Sequence, residues 1–322
     1  MVTVLMSVYN SEEFLCDAID SILNQTFSDF EFIIIDDGSK DDSINIVEKY
    51  ALSDPRILFI KNPVNIGLAA SLNVGILLAK GKYIARQDAD DISALNRLEL
   101  QTNYALKNAE VDIVGSNCFI IDIKSDTVYE DRVYGEDKNF FNKLLNREAI
   151  FPHGSAFMKK EKITECGMYD KRFYYVQDGE LWLRALSCGA NIFVMDKSLY
   201  YYRVTPVSSS KRKQVKTMFN KVLKMIYYEQ QNADMIDYEL KKVNSYLSSV
   251  TTPVEIDYMA DYWKSLGNAA YLNKASLQTS LKYIAKAIKE NQSILNYPKY
   301  FLLALVYCLP VNCVNFFIKN RI

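Results

Sequence analysis

The sequence predicts an α/β fold with a mostly parallel, mixed sheet, followed by an all-helical C-terminal extension. Three observations carry this. Through residue 121, short β-branched apolar runs alternate with helix-length amphipathic segments, the pattern of βαβ units. Polar clusters follow directly on several of those runs, at the strand ends where an open parallel sheet binds ligands. From about residue 211 only helical spacing remains.

Taken in order, strands are expected at 2–8, 31–35, 57–60, 82–86 and 113–121, with helices near 12–25, 41–52, 67–79 and 94–107. Ser11 is placed to cap a first turn carrying Glu12 and Glu13, and Ser39 to do so ahead of Asp41 and Asp42. The stretch 122–210 is irregular, with candidate strands at 155–158, 191–195 and 199–204 and a helix at about 179–188. Helices are then expected at 212–231, 234–249, 254–272, 276–290 and 298–318. The change of pattern divides the chain into an α/β domain, 1–210, and a helical region, 211–322.

With 322 residues, 49% hydrophobic and 24% charged, the chain can bury a substantial core and is not of disordered composition. Its net charge of −1 hides an asymmetry. Residues 1–210 hold 22 basic and 31 acidic side chains, whereas 211–322 hold 16 and 8. An acidic half suits a site that recruits a cation, and a basic tail suits an anionic partner such as a lipid headgroup, although solvated helix faces give the same balance. Nothing points to nucleic acid. The six cysteines form no Cys-x-x-Cys pair, and His153 is the one histidine, so zinc-finger spacing is excluded. Met1–Leu5 lacks the basic and long apolar regions of a signal peptide and reads as a first strand.

Four polar clusters follow apolar runs: Ser7-Val8-Tyr9-Asn10, Asp36-Asp37-Gly38-Ser39, Asn65-Ile66-Gly67 and Gln87-Asp88-Ala89-Asp90-Asp91. Adjacent carboxylates repel unless a cation or donors neutralise them. Magnesium and manganese take oxygen ligands and keep positions for water and substrate phosphates, so one or two carboxylates suffice. An Asp-rich turn in which Asp91 caps a helix starting near Ser93 would account for the same residues.

The stretch from Val4 to Ser39 resembles the family 2 glycosyltransferases of GT-A (Rossmann-like) fold. Ser7 to Asn10 matches S-x-Y-N, Ile22-Leu23-Asn24-Gln25 matches I-L-x-Q, and Ile34 to Ser39 matches I-x-D-D-G-S. The similarity continues through Asn65-Ile66-Gly67 and Arg86 to Asp91 and reaches about Tyr202-Arg203. It implies a UDP-sugar donor held by Ser7, Tyr9, Asp37, Asn65, Gly67, Arg86, Asp88 and Arg203. Tyr9 would lie near the base and Asp37 would accept from the uracil imide, although a sheet-edge aromatic and a turn residue fit those two positions as well. Asp90 would be the direct ligand of a manganese or magnesium ion, with Asp88 in support.

The family's general base opens a helix of the form E-D-x-D/E-L-W-L-R, which here is Gln177 to Arg184, so the resemblance makes Asp178 the base. Gln177 departs from the usual glutamate. His153 and Gln177 are expected on the acceptor side together with Trp182, whose alternative is a core position. Thr205 stands where many relatives carry a metal-binding histidine, which leaves the cation to carboxylate, phosphates and water.

The resemblance further implies an inverting transfer of a hexose or N-acetylhexosamine to a glycan hydroxyl, with a polyprenyl diphosphate-linked O-antigen or capsule intermediate as acceptor. Alternatives are a catalytically impaired nucleotide-sugar-binding or membrane scaffold, and a sugar-phosphate nucleotidyltransferase, which normally has a glycine-rich loop that Leu5–Ser11 lacks. Residues 300–318 carry no charge, but Pro310, Asn312 and Asn315 argue against a simple span. The expectation is a cytoplasmic protein, peripheral at the inner face of the cytoplasmic membrane.

Overall fold

The computed structural model describes residues 1–132, 139–146, 151–174, 176–205, 211–227, 233–249, 262, 263, 266 and 277–290. The α/β part runs β1 (Val2–Val8), α1 (Leu15–Leu23), β2 (Phe30–Asp36), α2 (Ser43–Ser53), β3 (Ile57–Lys61), α3 (Leu68–Leu78), β4 (Tyr83–Asp88), β5 (Ile92–Ser93), α4 (Arg97–Lys107) and β6 (Ile113–Ile121). There follow β7 (Thr127–Asp131), α5 (Phe140–Leu145), a 3-10 turn at His153–Ser155, β8 (Phe157–Lys159), α6 (Lys160–Glu165), α7 (Gln177–Ser187) and β9 (Ile192–Arg203). The helices α8 (Lys211–Tyr227), α9 (Ala233–Ser249) and α10 (Leu277–Glu290) come last.

The sheet order is β3-β2-β1-β4-β8-β6-β9-β5. β1, β2, β3 and β4 pair in parallel, while β8 joins β4 and β6 antiparallel and β5 joins β9 antiparallel. The register aligns Ser7 with Ile35 on one side and Asp88 on the other, so the polar ends of three strands meet along one edge.

Chain contacts divide the molecule into two compact units. The first holds Met1–Cys118, Arg132–Tyr202 and Lys213–Val250, and the second includes Phe119–Asp131, Arg203 and α10. The expected boundary at 211 follows the change in secondary structure; these units follow packing and keep α8 and α9 with the α/β body.

Within the first unit the sheet is buried on both faces, which is why its strands read as nearly continuous apolar runs. Leu5, Ile33, Ile35 and Ile84 pack with α3, α5, α7 and α8. Val4, Met6, Phe32, Ile34 and Ala85 pack on the other face with α1, whose Leu15, Ala18, Ile19 and Ile22 form a single helical stripe. In the second unit Asp122 is buried and accepts from Tyr283 Oη at 3.3 Å and Lys286 Nζ at 3.2 Å.

Several local expectations are corrected. Neither Ser11 nor Ser39 caps a helix; α1 and α2 start at Leu15 and Ser43 without side-chain caps. Ser39 Oγ instead accepts from Asn10 N, Asn10 Oδ1 from Lys40 N, Asp41 Oδ2 from Glu12 N and Glu12 Oε2 from Asp42 N. Two strand-end loops thus satisfy each other's backbone donors. Asp91 is no cap either, because β5 intervenes before α4 begins at Arg97. The strands expected at 191–195 and 199–204 are one strand, β9. The helix at 298–318, the uncharged run 300–318 and most of the helix at 254–272 lie outside the described residues. Among the described residues no helix is long and apolar enough to cross a membrane.

The turn after β2 depends on Gly38. Its φ is +75°, and a Cβ there would lie 2.7 Å from Asn65 N and 2.8 Å from Val64 C, both backbone atoms. Gly38→Ala is therefore expected to destabilise the fold by about 1–3 kcal/mol, read as a lowered midpoint in thermal or urea melts. An unchanged midpoint would show that the loop carrying Asn65 is not held against this turn.

Candidate active site

The acidic segment sits at the end of β4. Arg86 is fully buried and its Nη2 contacts Asp88 Oδ1 at 2.6 Å, while Nε and Nη1 have no partner among the described residues. Burial, the largest single influence, opposes the guanidinium charge, but Asp88, Tyr169, Tyr200 and Asp91 together outweigh it and hold the Arg86 pKa above its ordinary value. Asp88 and Asp90 are partly exposed and Asp91 is buried. Gln87 Nε2 donates to the carbonyls of Asp88, at 3.0 Å, and Asp91, at 2.9 Å, which folds the segment back on itself. The Asp88 backbone N–H donates to Tyr200 Oη at 3.1 Å. Gly154 closes in from the 3-10 turn, so near that a Cβ there would overlap the Tyr200 phenol and come within 2.7 Å of Asp88 Oδ2.

Beyond the turn, His153 Nε2 lies 2.7 Å from Tyr169 Oη. Tyr169 is fixed in turn by Asn73 of α3, whose side chain bonds both its backbone N–H and its carbonyl, at 2.9 and 2.8 Å. Burial, reinforced by the Arg86 charge, pushes the His153 pKa down to about 4, and burial pushes that of Tyr169 up. The charges of Asp178 and Asp88 are both felt at His153 and Tyr169. The carboxylate on α7 and the acidic segment on β4 therefore act on the same neutral pair.

Asp178 is the second residue of α7 and partly exposed, where the helix N-terminus favours a carboxylate. The preceding Val176 is left-handed, at φ 58°, a conformation that strains a β-branched side chain. Buried Glu180 holds the helix in place by pairing with Arg184 at 2.7 Å and accepting from Tyr227 Oη of α8 at 2.9 Å.

The edge formed by β1 and β2 supplies the remaining residues. Ser7 is partly buried in β1, and Tyr9 just beyond it is 45% exposed. Asp37, expected at the uracil imide, is buried, with Oδ1 accepting from Asn62 Nδ2 and Ile66 N and Oδ2 from Gly67 N, each at 2.9 Å. It thereby pins the loop that carries exposed Asn65 and starts α3 at Gly67, whose φ is +89°. Asp36 was not singled out by its sequence context, yet its Oδ1 is buried without a partner among the described residues while Oδ2 accepts from Gly38 N and Ser39 N. The Asp-Asp doublet signals that a carboxylate belongs here but not which of the two does what.

Two expected site residues are elsewhere. Trp182 is 1% exposed and packs on Phe151 and the edge of His153, so it is a core residue rather than a ring presented to sugar. Arg203 is buried in the second unit, where Nη1 donates to the Asp122 carbonyl at 3.2 Å and Ser125 Oγ at 3.0 Å. Its guanidinium is engaged by that turn. Among the described residues no three His, Cys, Asp or Glu side chains cluster as a metal cage. Partly exposed Asp90 beside Arg86-paired Asp88 still fits an ion that takes few protein ligands and completes its shell with phosphates and water.

The profile of "Glycosyl transferase family 2" matches residues 3–167, just over half of the chain. The chain belongs to this family. Its similarity to the O-antigen biosynthesis glycosyltransferase WbnJ of Escherichia coli is 33% identity over 221 residues, 66% of this chain and 82% of that protein. In fold this family 2 glycosyltransferase is like Staphylococcus aureus TarS 1-349 in complex with UDP-GlcNAc, at TM-score 0.54 and 17% identity over 91% of this chain and 90% of that one. It is also like the mannosyltransferase PcManGT of Pyrobaculum calidifontis in complex with GDP-Man and Mn2+, at TM-score 0.51 and 17% identity over 95% and 84%. The fold is thus GT-A with a helical C-terminal extension, and the protein is a glycosyltransferase.

His153 gives a pH test. Its folded pKa, about 4, lies below the ordinary histidine value of 6.5, so the unfolded chain binds more protons between those values and stability falls as pH drops from 6.5 toward 4. The wild-type melting midpoint should fall more steeply from pH 7 to 5 than that of His153→Gln, which cannot titrate. Parallel pH profiles would show that the imidazole is not held neutral by its surroundings.

Proposed function

We propose that this family 2 glycosyltransferase is an inverting enzyme that moves a hexose or N-acetylhexosamine from a UDP-sugar to a glycan hydroxyl, with a polyprenyl diphosphate-linked O-antigen or capsule intermediate as acceptor. The observation that carries the proposal is the sharing of one neutral His153–Tyr169 pair by Asp178 and Asp88. It supports a base on one wall of a cleft and a donor-binding segment on the other. The O-antigen role in WbnJ's name and the UDP-GlcNAc bound to TarS support this acceptor and donor class.

In this reading Tyr9 and Ser7 line the nucleoside, and Asp37 shapes that wall by holding the Asn62–Gly67 loop. Arg86 directs its two unpartnered donors at oxygens of the sugar diphosphate, since a buried donor left unsatisfied costs about 1–3 kcal/mol. Asp90, with Asp88 in support, would hold a divalent cation, which neutralises charge on the leaving diphosphate. Asp178 accepts the proton of the attacking hydroxyl at its carboxylate, on the face opposite the leaving group. His153, kept uncharged, does not repel the cationic elements of the donor site. Gln177 orients the acceptor or Asp178 without adding charge.

A panel of UDP- and GDP-sugars with manganese, followed by release of nucleoside diphosphate, tests the chemistry. Asp178→Asn should lower turnover by about 10²-fold or more while nucleotide affinity persists, and Asp90→Ala should abolish the manganese dependence. Equal release by all three proteins would sink the mechanism. Turnover of GDP-sugars alone would reassign the donor.

We also infer peripheral membrane association, on the excess of 16 basic over 8 acidic residues in 211–322. The protein should float with vesicles containing anionic lipid and not with neutral ones, and removal of 291–322 should weaken this. Indifference to both vesicle types would refute the assignment.

A further inference from the structure

Arg97, at the start of α4, is 0% exposed, yet among the described residues it pairs with no carboxylate. All five of its N–H donors find neutral oxygens. Nε donates to Gln101 Oε1 at 3.0 Å, Nη1 to Ser93 Oγ at 2.9 Å and Gln87 Oε1 at 3.2 Å, and Nη2 to the carbonyls of Arg86 at 2.8 Å and Ala156 at 3.3 Å. Its partners are themselves linked. Ser93 Oγ donates to Gln87 Oε1 at 2.7 Å, Gln87 Nε2 holds the carbonyls of Asp88 and Asp91, and Gln101 Nε2 donates to the carbonyl of Ser155 at 2.8 Å. One guanidinium therefore ties the acidic segment, through β4 and β5, to the far end of the turn that bears His153.

A buried ion is a poor way to gain stability alone, because apolar side chains of similar volume do as well or better. What a guanidinium adds is a rigid planar fork and a fixed positive charge. Both are placed where they matter to the acidic segment: the Arg97 guanidinium lies 5.2 Å from the centre of the Tyr200 ring, and the Tyr200 hydroxyl takes the Asp88 backbone N–H. The charges of Asp88 and Asp91 also act on Arg97.

We propose that Arg97 is a positioning residue that sets the separation of the Asp88–Asp91 segment from the His153–Ser155 turn, so that the acidic segment is shaped for a cation and a nucleoside diphosphate before either binds. This rests on the reading of that segment as the cation–diphosphate site. Lysine cannot substitute, because one ammonium offers three donors and no plane.

The full chain carrying Arg97→Lys or Ser93→Ala tests the proposal by thermal melting, by hydrogen–deuterium exchange without metal, and by affinity for UDP with and without manganese. Arg97→Lys should melt cooperatively, exchange faster at 87–93 and at 153–156 together, and lose about tenfold in the manganese-dependent part of UDP affinity. Ser93→Ala should move in the same direction by about threefold, the effect of one hydrogen bond. UDP affinity without manganese should not change. Folded variants that bind manganese and UDP within twofold of wild type, or faster exchange spread evenly over the chain, overturn the proposal. If Arg97→Lys does not fold, Ser93→Ala decides alone. If wild type does not bind UDP with manganese, the donor reading fails, and the exchange measurement, which needs no ligand, still decides whether Arg97 couples the two segments.

Discussion

A guanidinium removed from water must be met by oxygen atoms, and beneath the acidic segment there are two such groups. Arg86 and Arg97 come from neighbouring parts of the chain and are satisfied in opposite ways. Arg97 is saturated by neutral acceptors and so behaves as a fixed structural charge. Arg86 is met by a single carboxylate and keeps two donors unpartnered among the described residues. The first fixes the backbone on which Asp88 and Asp91 sit, and the second keeps hydrogen-bonding capacity beside Asp88, with a charge that is felt at His153 and Tyr169. Together they let three aspartates stand within four residues, which without nearby positive charge would be destabilising.

The same electrostatics make the His153–Tyr169 pair intelligible. An imidazole that is itself buried, with a buried guanidinium nearby, resists protonation, and Asn73 fixes the tyrosine that completes its hydrogen bond. Because α7 is anchored by Glu180, Arg184 and Tyr227, its first turn brings Asp178 to this pair as part of a rigid element. The strain at Val176 is located where the chain turns into that helix, the kind of place where a fold holds a functional group against local preference.

Much of the scaffold was legible in the sequence because a sheet buried on both faces writes itself as apolar runs, as in Phe32–Ile35. The strand-end motifs were legible for the complementary reason: polar residues directly after such runs have no core to enter. What the sequence hid were choices among near-equivalent partners. Ser11 and Ser39 have the chemistry of helix caps, but the loops they belong to meet across space and use those atoms differently. Asp36 and Asp37 are adjacent carboxylates, and only the approach of the Asn62–Gly67 loop shows that the second is its clamp. Trp182 and Arg203 carry side chains suited to sugar and phosphate, yet burial assigns one to the core and the other to the Asp122 turn. Tyr169 and Tyr200 reach their partners from 16 and 112 residues away, separations at which no local pattern exists.

Gly154 lets the 3-10 turn come so close to Tyr200 and Asp88 that no side-chain atom separates them. The approach is thereby set by the absence of a single carbon. Bare backbone has no rotamers, so this contact cannot adjust by side-chain rotation, and any adjustment beside the acidic segment must come from neighbouring side chains.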